Sequence, residues 1–460
     1  MINTPESVSC EDNLLECMIE LENRDAVFWC GENVKGNLHL KLSDGSIQIT
    51  SLRLLFHGYG KISCKGKKDE PLQECMTYLK KSSDLVSQSF VLQQQEYSFP
   101  FEETLPDHLP TSVYSTKGHI QYIVQCTLEY KTSNGQPSIV KAIRGITICE
   151  SLDLNKIPKS WFESKTEFEQ RKFGWFSCTG GHIRLNVTIE RCAFVCGEAI
   201  SFIGKIENKS DRRIEKVTVT LVKSIIFGET EGEQVNENIV TDSQNVLEDL
   251  LAMYIEEGCF NKIVKKVHIP STSPTTPTDI LLQHQPSQST DANNRFLNRR
   301  RSQMGRLSFS SSAGRERTSL GNPNIQRILR ISYAFNIKVR TGGIDVIDVN
   351  VPVVIGTVPM TDSVNSGDPN DPLDKPVFNV CRQDKPISLL DEKERTLCNK
   401  AQLQHVNKYP FYATLTTSSK QSKKLSVIAK TIKTENSIMN TIKGVVDEDK
   451  TTIETDISDY

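Results

Sequence analysis

Apolar and polar residues alternate with a period of two through much of the first 150 positions. Leu38, Leu40 and Leu42 interleave with Asn37, His39 and Lys41; beyond the turn residues SDGS, Ile47 and Ile49 lead to Leu52, Leu54 and Phe56. Successive side chains of a strand leave opposite faces, so this pattern predicts half-buried β-strands. The change of phase between Ile49 and Leu52 predicts a bulge. The most regular stretch, HIQYIVQCTLEY, puts Ile120, Tyr122, Val124, Cys126 and Leu128 on one face. It ends at Asn134-Gly135, a strong hairpin signal.

The alternation restarts at GGHIRLNVTIER, with Ile183, Leu185, Val187 and Ile189 on one side, and continues through Ile200, Phe202, Ile206, Val217, Val219 and Leu221. The same order of strand, Gly-Glu turn, strand, polar turn and strand occupies residues 21 to 56. Within it FWCGE and FVCGE repeat, placing Gly31-Glu32 and Gly197-Glu198 166 positions apart. A repeat that long implies two similar β domains in tandem and not a solenoid. Glycine suits a tight turn where a Cβ is unwelcome, so Gly31, Glu32, Gly197 and Glu198 are read as structural turn residues.

The predicted layout is a first domain over residues 12–152, a connecting segment over 153–177 without sustained alternation, and a second domain over 178–359. In the second domain NVLEDLLAMYIEEG fits either a helical stripe or a buried strand. Residues 271–324, rich in Ser, Thr, Pro, Gln, Asn and Arg, are expected to form a disordered loop, because such a composition buries too little apolar surface to offset its ordering entropy. The tail, 360–460, is expected to be largely disordered as well.

Net charge is −2, which excludes the overall basic footprint of a nucleic-acid binder. Thirteen scattered cysteines, with no CxxC pair, point to reduced thiols in a cytosolic protein and not to a disulfide framework or zinc site. No secretory signal, 18-residue apolar run, second-position glycine or C-terminal CaaX box is visible. The expected location is therefore cytoplasmic, with recruitment to plasma membrane and endosomes.

Several short pieces, in order, resemble the arrestin-domain-containing (α-arrestin) family. They are VFWCGENVKGNLHLKL, SLRLLFHGYG, YSFPFEETLPDHLPTSVYSTKGHIQYIVQCTLE, LDLN, GGHIRLNVTIERCAFVCGEAISFIGKIENKS, KKVHIPSTSPT, and YAFNIKVRTGG leading to VPVVIGTVP. The resemblance covers roughly residues 12 to 360. It implies two tandem immunoglobulin-like β-sandwiches, which the alternation and the repeat call for independently. It also implies a non-enzymatic adaptor linking membrane-protein cargo tails to endocytic sorting and protein transport, and further to HECT-type ubiquitin ligases. The alternative is a structural subunit of a membrane-coat or retromer-like sorting complex.

No catalytic constellation is found: the eight histidines lack ligand spacing, and there is no GxxxxGK[ST] or GxSxG. No cofactor or metal is expected. Candidate binding residues fall in three groups. In NRFLNRRRSQMGRLSFSSSAGRERTSL, Arg299, Arg300 and Arg301 precede Ser302, with Ser308 and Thr318 also downstream of arginines. These serve as phosphorylation sites for arginine-directed kinases and docking sites for phosphoserine-binding adaptors, or the arginines touch anionic lipid. Lys61, Lys65, Lys67 and Lys68, placed in a loop after LLFHGYG, are candidates for phosphate or lipid contact; a solvated loop is the plain alternative. The ligase-binding Pro-Pro-x-Tyr motif is missing. KYPFY retains Tyr409, Pro410 and Tyr412 as a WW-type docking candidate, against the alternative of an aromatic strap packed on the second sandwich.

Overall fold

The computed structural model describes residues 15–66, 70–132, 134–174, 180–228, 240–277, 280, 327–361, 375–389 and 403–416. Ten strands build the first domain: β1 (Leu15–Leu21), β2 (Val27–Trp29), β3 (Asn33–Leu42), β4 (Ser46–Lys65), β5 (Pro71–Asp84), β6 (Phe90–Gln93), β7 (Glu96–Thr104), β8 (Val113–Ser115), β9 (Gly118–Lys131) and β10 (Pro137–Cys149). One sheet runs β1-β3-β7 and the facing sheet β2-β10-β9-β4-β5. The alternating residues named above fill the space between them: Leu38, Leu40, Leu52, Leu54, Phe56, Val124, Cys126 and Leu128 are all buried. The predicted bulge is present, as pairing with β9 shifts register between Ile49 and Ser51.

The second domain comprises β11 (Lys165–Lys172), β12 (Gly181–Ile189), β13 (Ala193–Val195), β14 (Ala199–Ser210), β15 (Ile214–Phe227), β16 (Val240–Ile255), β17 (Phe260–His268), β18 (Leu329–Thr341) and β19 (Ile344–Gly356). Its sheets run β11-β12-β14-β17 and β13-β19-β18-β15-β16. Apart from β11, and from β6 and β8 of the first domain, this is the connectivity of the first domain over again, down to the short parallel pairings β2 with β10 and β13 with β19. Two tandem β-sandwiches are thus the architecture of the chain.

One open alternative is settled and some boundaries shift. The segment NVLEDLLAMYIEEG, read as either helix or strand, is strand: in its pairing with β15 the residues Val246 and Leu251 are skipped. Each skip resets the inward phase, so apolar residues recur at helix-like spacing in a bulged strand. The connecting segment 153–177 is not all linker, since β11 pairs with β12 as an edge strand. Its polar sequence hid it, because only part of one face is covered. Residues 271–277, assigned to a disordered loop, are buried. There hydroxyls replace apolar burial by bonding main chain: Thr275 Oγ1 accepts from Ile355 N at 2.9 Å and Thr276 Oγ1 from Ile331 N at 2.8 Å. Within the tail beyond 360, expected to be largely disordered, the described residues form a strap of short strands, β20 (Val377–Val380), β21 (Ile387–Ser388), β22 (Gln404–His405) and β23 (Lys408–Phe411), pairing β20 with β23 and β21 with β22. The rest of 271–324 and 360–460 lies outside the described residues.

The domains meet through polar contacts. Ser115 Oγ donates to Asp242 at 2.7 Å, Lys117 Nζ to the Thr241 carbonyl at 2.7 Å, and Ile328 N to the Tyr78 hydroxyl at 3.2 Å. Arg327 Nη2 lies 2.7 Å from Glu150 Oε1, and both side chains are buried.

Candidate functional site

The two Gly-Glu turns share their main-chain bonding, although Glu198 is buried on Arg191 at 2.7 Å and Glu32 is exposed. Gly31 and Gly197 take φ of +81° and +99°. Glu32 Oε2 accepts from Trp29 N at 2.8 Å, and Glu198 Oε2 accepts from Val195 N at 2.9 Å. Each glycine N–H bonds a carbonyl of a distant proline-containing segment, Gly31 to Pro106 and Gly197 to Ile269. The tyrosines Tyr122 and Tyr333 brace those segments by donating to the Pro110 and Ser273 carbonyls at 2.7 and 2.5 Å. The adjoining thiols are held by carbonyls, Cys30 Sγ on Leu109 at 3.3 Å and Cys196 Sγ on Thr272 at 3.6 Å. Burial pushes their pKa up to about 11 and about 12, the opposite of a nucleophile. All four turn residues are therefore structural.

The strap crosses the junction of the sandwiches. Tyr409 is fully buried, its hydroxyl donating to the Ser112 carbonyl at 2.9 Å in the first domain and lying 3.0 Å from Asp384 of the strap. Tyr412 is buried against the second domain: its N–H donates to Cys196 O at 3.0 Å and its hydroxyl to Thr357 O at 2.7 Å. Pro410 is buried with them. A WW groove needs an accessible, extended Pro-Tyr surface. In this packing the tyrosines and the proline form a strap over both sandwiches, so the WW-type reading of Tyr409, Pro410 and Tyr412 gives way to the packing one. Asp384 also faces Lys223 of β15 at 3.7 Å, both essentially without exposure. Burial pushes the Asp384 carboxyl up and Lys223 pulls it back.

His405 of the strap covers Gly145, where a Cβ would strike its ring, and sets Nε2 3.0 Å from Thr147 Oγ1. Burial, with Arg144 and Lys408 adding to it, lowers its pKa from 6.5 to about 4. The folded state keeps this imidazole neutral while the unfolded chain protonates it. Stability from this site is thus complete above pH 6.5 and is lost as pH falls towards 4. The loss is on the order of 3 kcal/mol at the low end. Urea unfolding of His405→Leu should show a flatter pH dependence over that interval than the parent; an unchanged slope would contradict the assignment.

Beside the strap lies the outer face of β4, β5 and β9, exposed along Lys61, Lys65 and Lys80 and covered at Gln121 and Ile123. Register puts His57 opposite Lys80 and Ile123, Tyr59 opposite Thr77 and Gln121, and Lys61 opposite Cys75 and His119. The Tyr59 ring sits between His57 at 5.2 Å and His119 at 5.9 Å. Burial, helped by Lys61, lowers the His119 pKa to about 4. Buried acceptors here, Gln121 Oε1 and His119 Nε2, have no hydrogen-bond partner among the described residues. Lys61, Lys65 and Lys80 are exposed, with no carboxylate at ion-pair distance among the described residues. Lys61 and Lys65 belong to β4 itself and not to a loop, a correction that aims them along one face. β5 is the sheet's open edge, and its half-buried Leu72, Met76 and Tyr78 line the other side.

Lys67, Lys68, Arg299, Arg300, Arg301, Ser302, Ser308 and Thr318 lie outside the described residues. Sequence reasoning missed Tyr59, Lys80, Gln121, Lys223 and Asp384, because what makes them notable is which strands they face. Among the described residues no three His, Cys, Asp or Glu side chains are grouped to hold a metal ion. Nor is any described helix long and apolar enough to cross a membrane.

Comparison with known proteins matches residues 17–155 to the arrestin (or S-antigen) N-terminal domain and residues 179–360 to the arrestin (or S-antigen) C-terminal domain. Similar proteins include human arrestin domain-containing protein 5, 23% identical over 217 residues, covering 44% of this chain and 60% of that protein. Mouse arrestin domain-containing protein 4 is 33% identical over 125 residues, 27% of this chain and 29% of its own. Arrestin domain-containing protein 15 of Caenorhabditis elegans is 23% identical over 255 residues, 54% and 65% respectively. In each case the match spans less than two thirds of the relative's length.

Proposed function

Because the chain belongs to the arrestin-domain-containing family, we propose that it is a non-enzymatic adaptor that holds the cytosolic tails of membrane-protein cargo for endocytic sorting. The observation that supports this reading is the open β5 edge beside a lysine-rich, aromatic outer face. An extended tail adding to β5 would take its affinity from main-chain hydrogen bonds, place apolar residues against Leu72 and Met76, and turn acidic or phosphorylated residues to Lys61, Lys65 and Lys80. Ligase recruitment through Tyr409 and Tyr412 is not part of the proposal, since both are buried.

The test is fluorescence polarisation of the full chain with a labelled peptide alternating glutamate and valine around a central phosphoserine. Lys61→Glu with Lys80→Glu is expected to weaken binding by about tenfold or more, with a shallower salt dependence. Equal binding by parent and variant would refute the site. Proximity labelling in cells that returned no membrane proteins or sorting machinery would refute the adaptor role.

A further inference from the structure

Several open strand edges among the described residues carry residues that discourage pairing: β7 contains Pro100, β11 contains Lys165, Arg171 and Lys172, and β17 contains Lys262, Lys265 and Lys266. β16 is different. It is 16 residues long, against seven for β1, and carries no lysine, arginine or proline. From Val240 to Glu257 the chain has five carboxylates, Asp242, Glu248, Asp249, Glu256 and Glu257, and no basic residue.

Its open side already accepts donors in place of a neighbouring strand. Lys117 Nζ donates to Thr241 O at 2.7 Å, Gln383 Nε2 to Asn245 O and Val246 O at 3.1 and 3.2 Å, and Lys265 Nζ to Leu250 O at 3.3 Å. Cationic and amide side chains thus occupy positions that a partner strand's N–H groups would take. Beside them Leu250, Met253 and Tyr254 are 45%, 49% and 56% exposed. Tyr254 is also held at φ +54°, a conformation costly for a residue with a Cβ, with the Arg213 guanidinium 4.9 Å above its ring.

We propose that the β16 edge is a strand-addition site for an extended segment alternating basic with apolar residues, the chemistry of a cytosolic stretch that follows a membrane span. Its main chain pairs with β16 as the Lys265 and Gln383 side chains swing away. Its lysines or arginines face Asp249, released by Lys265 that now lies 2.7 Å from it, and its apolar residues cover Leu250 and Met253 on the opposite face. The proposal rests on the adaptor reading and gives the cargo a second contact, separate from the lysine face of β4 and β5.

The probe is a labelled dodecapeptide alternating lysine and valine, titrated into the full chain. Asp249→Lys with Leu250→Lys should weaken it by about tenfold or more, whereas Lys61→Glu with Lys80→Glu should leave it unchanged. Leu250 is exposed and Asp249 partly so, and an unchanged thermal transition confirms that the variant folds. N-methylation of alternate peptide amides should weaken binding as much as the β16 substitutions do. Equal binding by the N-methylated peptide, or by a peptide of the same composition with its lysines in one block, overturns strand addition in favour of plain charge attraction. Because the phosphoserine peptide is measured separately on the same preparations, failure of one site is distinguishable from failure of the other.

Discussion

Gly197→Ala is expected to be far more damaging than Gly31→Ala, although both replace the same residue of the same turn. Each glycine has positive φ, which alone costs an L-residue about 1–2 kcal/mol. At Gly31 the new methyl would meet Asp107 Oδ1 at 2.9 Å, the end of a side chain that can rotate aside. At Gly197 it would strike the carbonyl and N–H of Tyr412, main chain that is itself hydrogen-bonded to Cys196. Either the turn opens or the strap's end lifts, exposing Tyr412 and breaking its bond to Thr357, a further loss of about 1.5–3 kcal/mol. Thermal unfolding measures the difference, and limited proteolysis within 403–416 reports whether the strap has lifted. Equal losses at the two glycines would show that Tyr412 does not pack on the turn.

Asp384→Ala should loosen the strap along most of its length. It leaves the Lys223 ammonium buried without its counter-charge, removes the acceptor of the Asn407 amide and takes a polar neighbour from the Tyr409 hydroxyl. Breaking one side of a buried pair costs about 3–5 kcal/mol, whereas replacing both sides with apolar residues is often neutral. The double variant Lys223→Met with Asp384→Leu should therefore recover most of the loss. Hydrogen exchange of the Tyr409 and Tyr412 amides, slow in the parent and double variant and fast in Asp384→Ala, is the measurement. If the single variant exchanges as slowly as the parent, the pair does not hold the strap.

Much of the fold was legible because strand alternation is a local property. Ile183, Leu185, Val187 and Ile189 are each wholly buried, as their spacing requires, and the repeated Gly-Glu pair marks equivalent turns. Reading was incomplete where local pattern and burial part company. Bulges at Val246 and Leu251 gave a strand the spacing of a helix, so the pattern fitted both. Polar β11 is paired yet mostly exposed, and Ser271 to Thr276 are buried through hydroxyl bonds that composition does not reveal. The strap was foreseen only as a packing alternative for KYPFY, because its short strands pair across 15 or more intervening residues and contact sandwiches distant in sequence.

By itself, the sequence determined a duplicated β domain and the turns that close each copy, since period-two burial and positive-φ glycines are decided within a few residues. Only the tertiary structure decided what the candidate residues are for. It buried Tyr409 and Tyr412, aimed Lys61 and Lys65 with unpredicted Lys80 and Tyr59 onto one face, and left β16 as an acidic, unguarded edge. Those outcomes depend on which strands become neighbours and which remain at an edge, a choice made by packing between segments hundreds of residues apart.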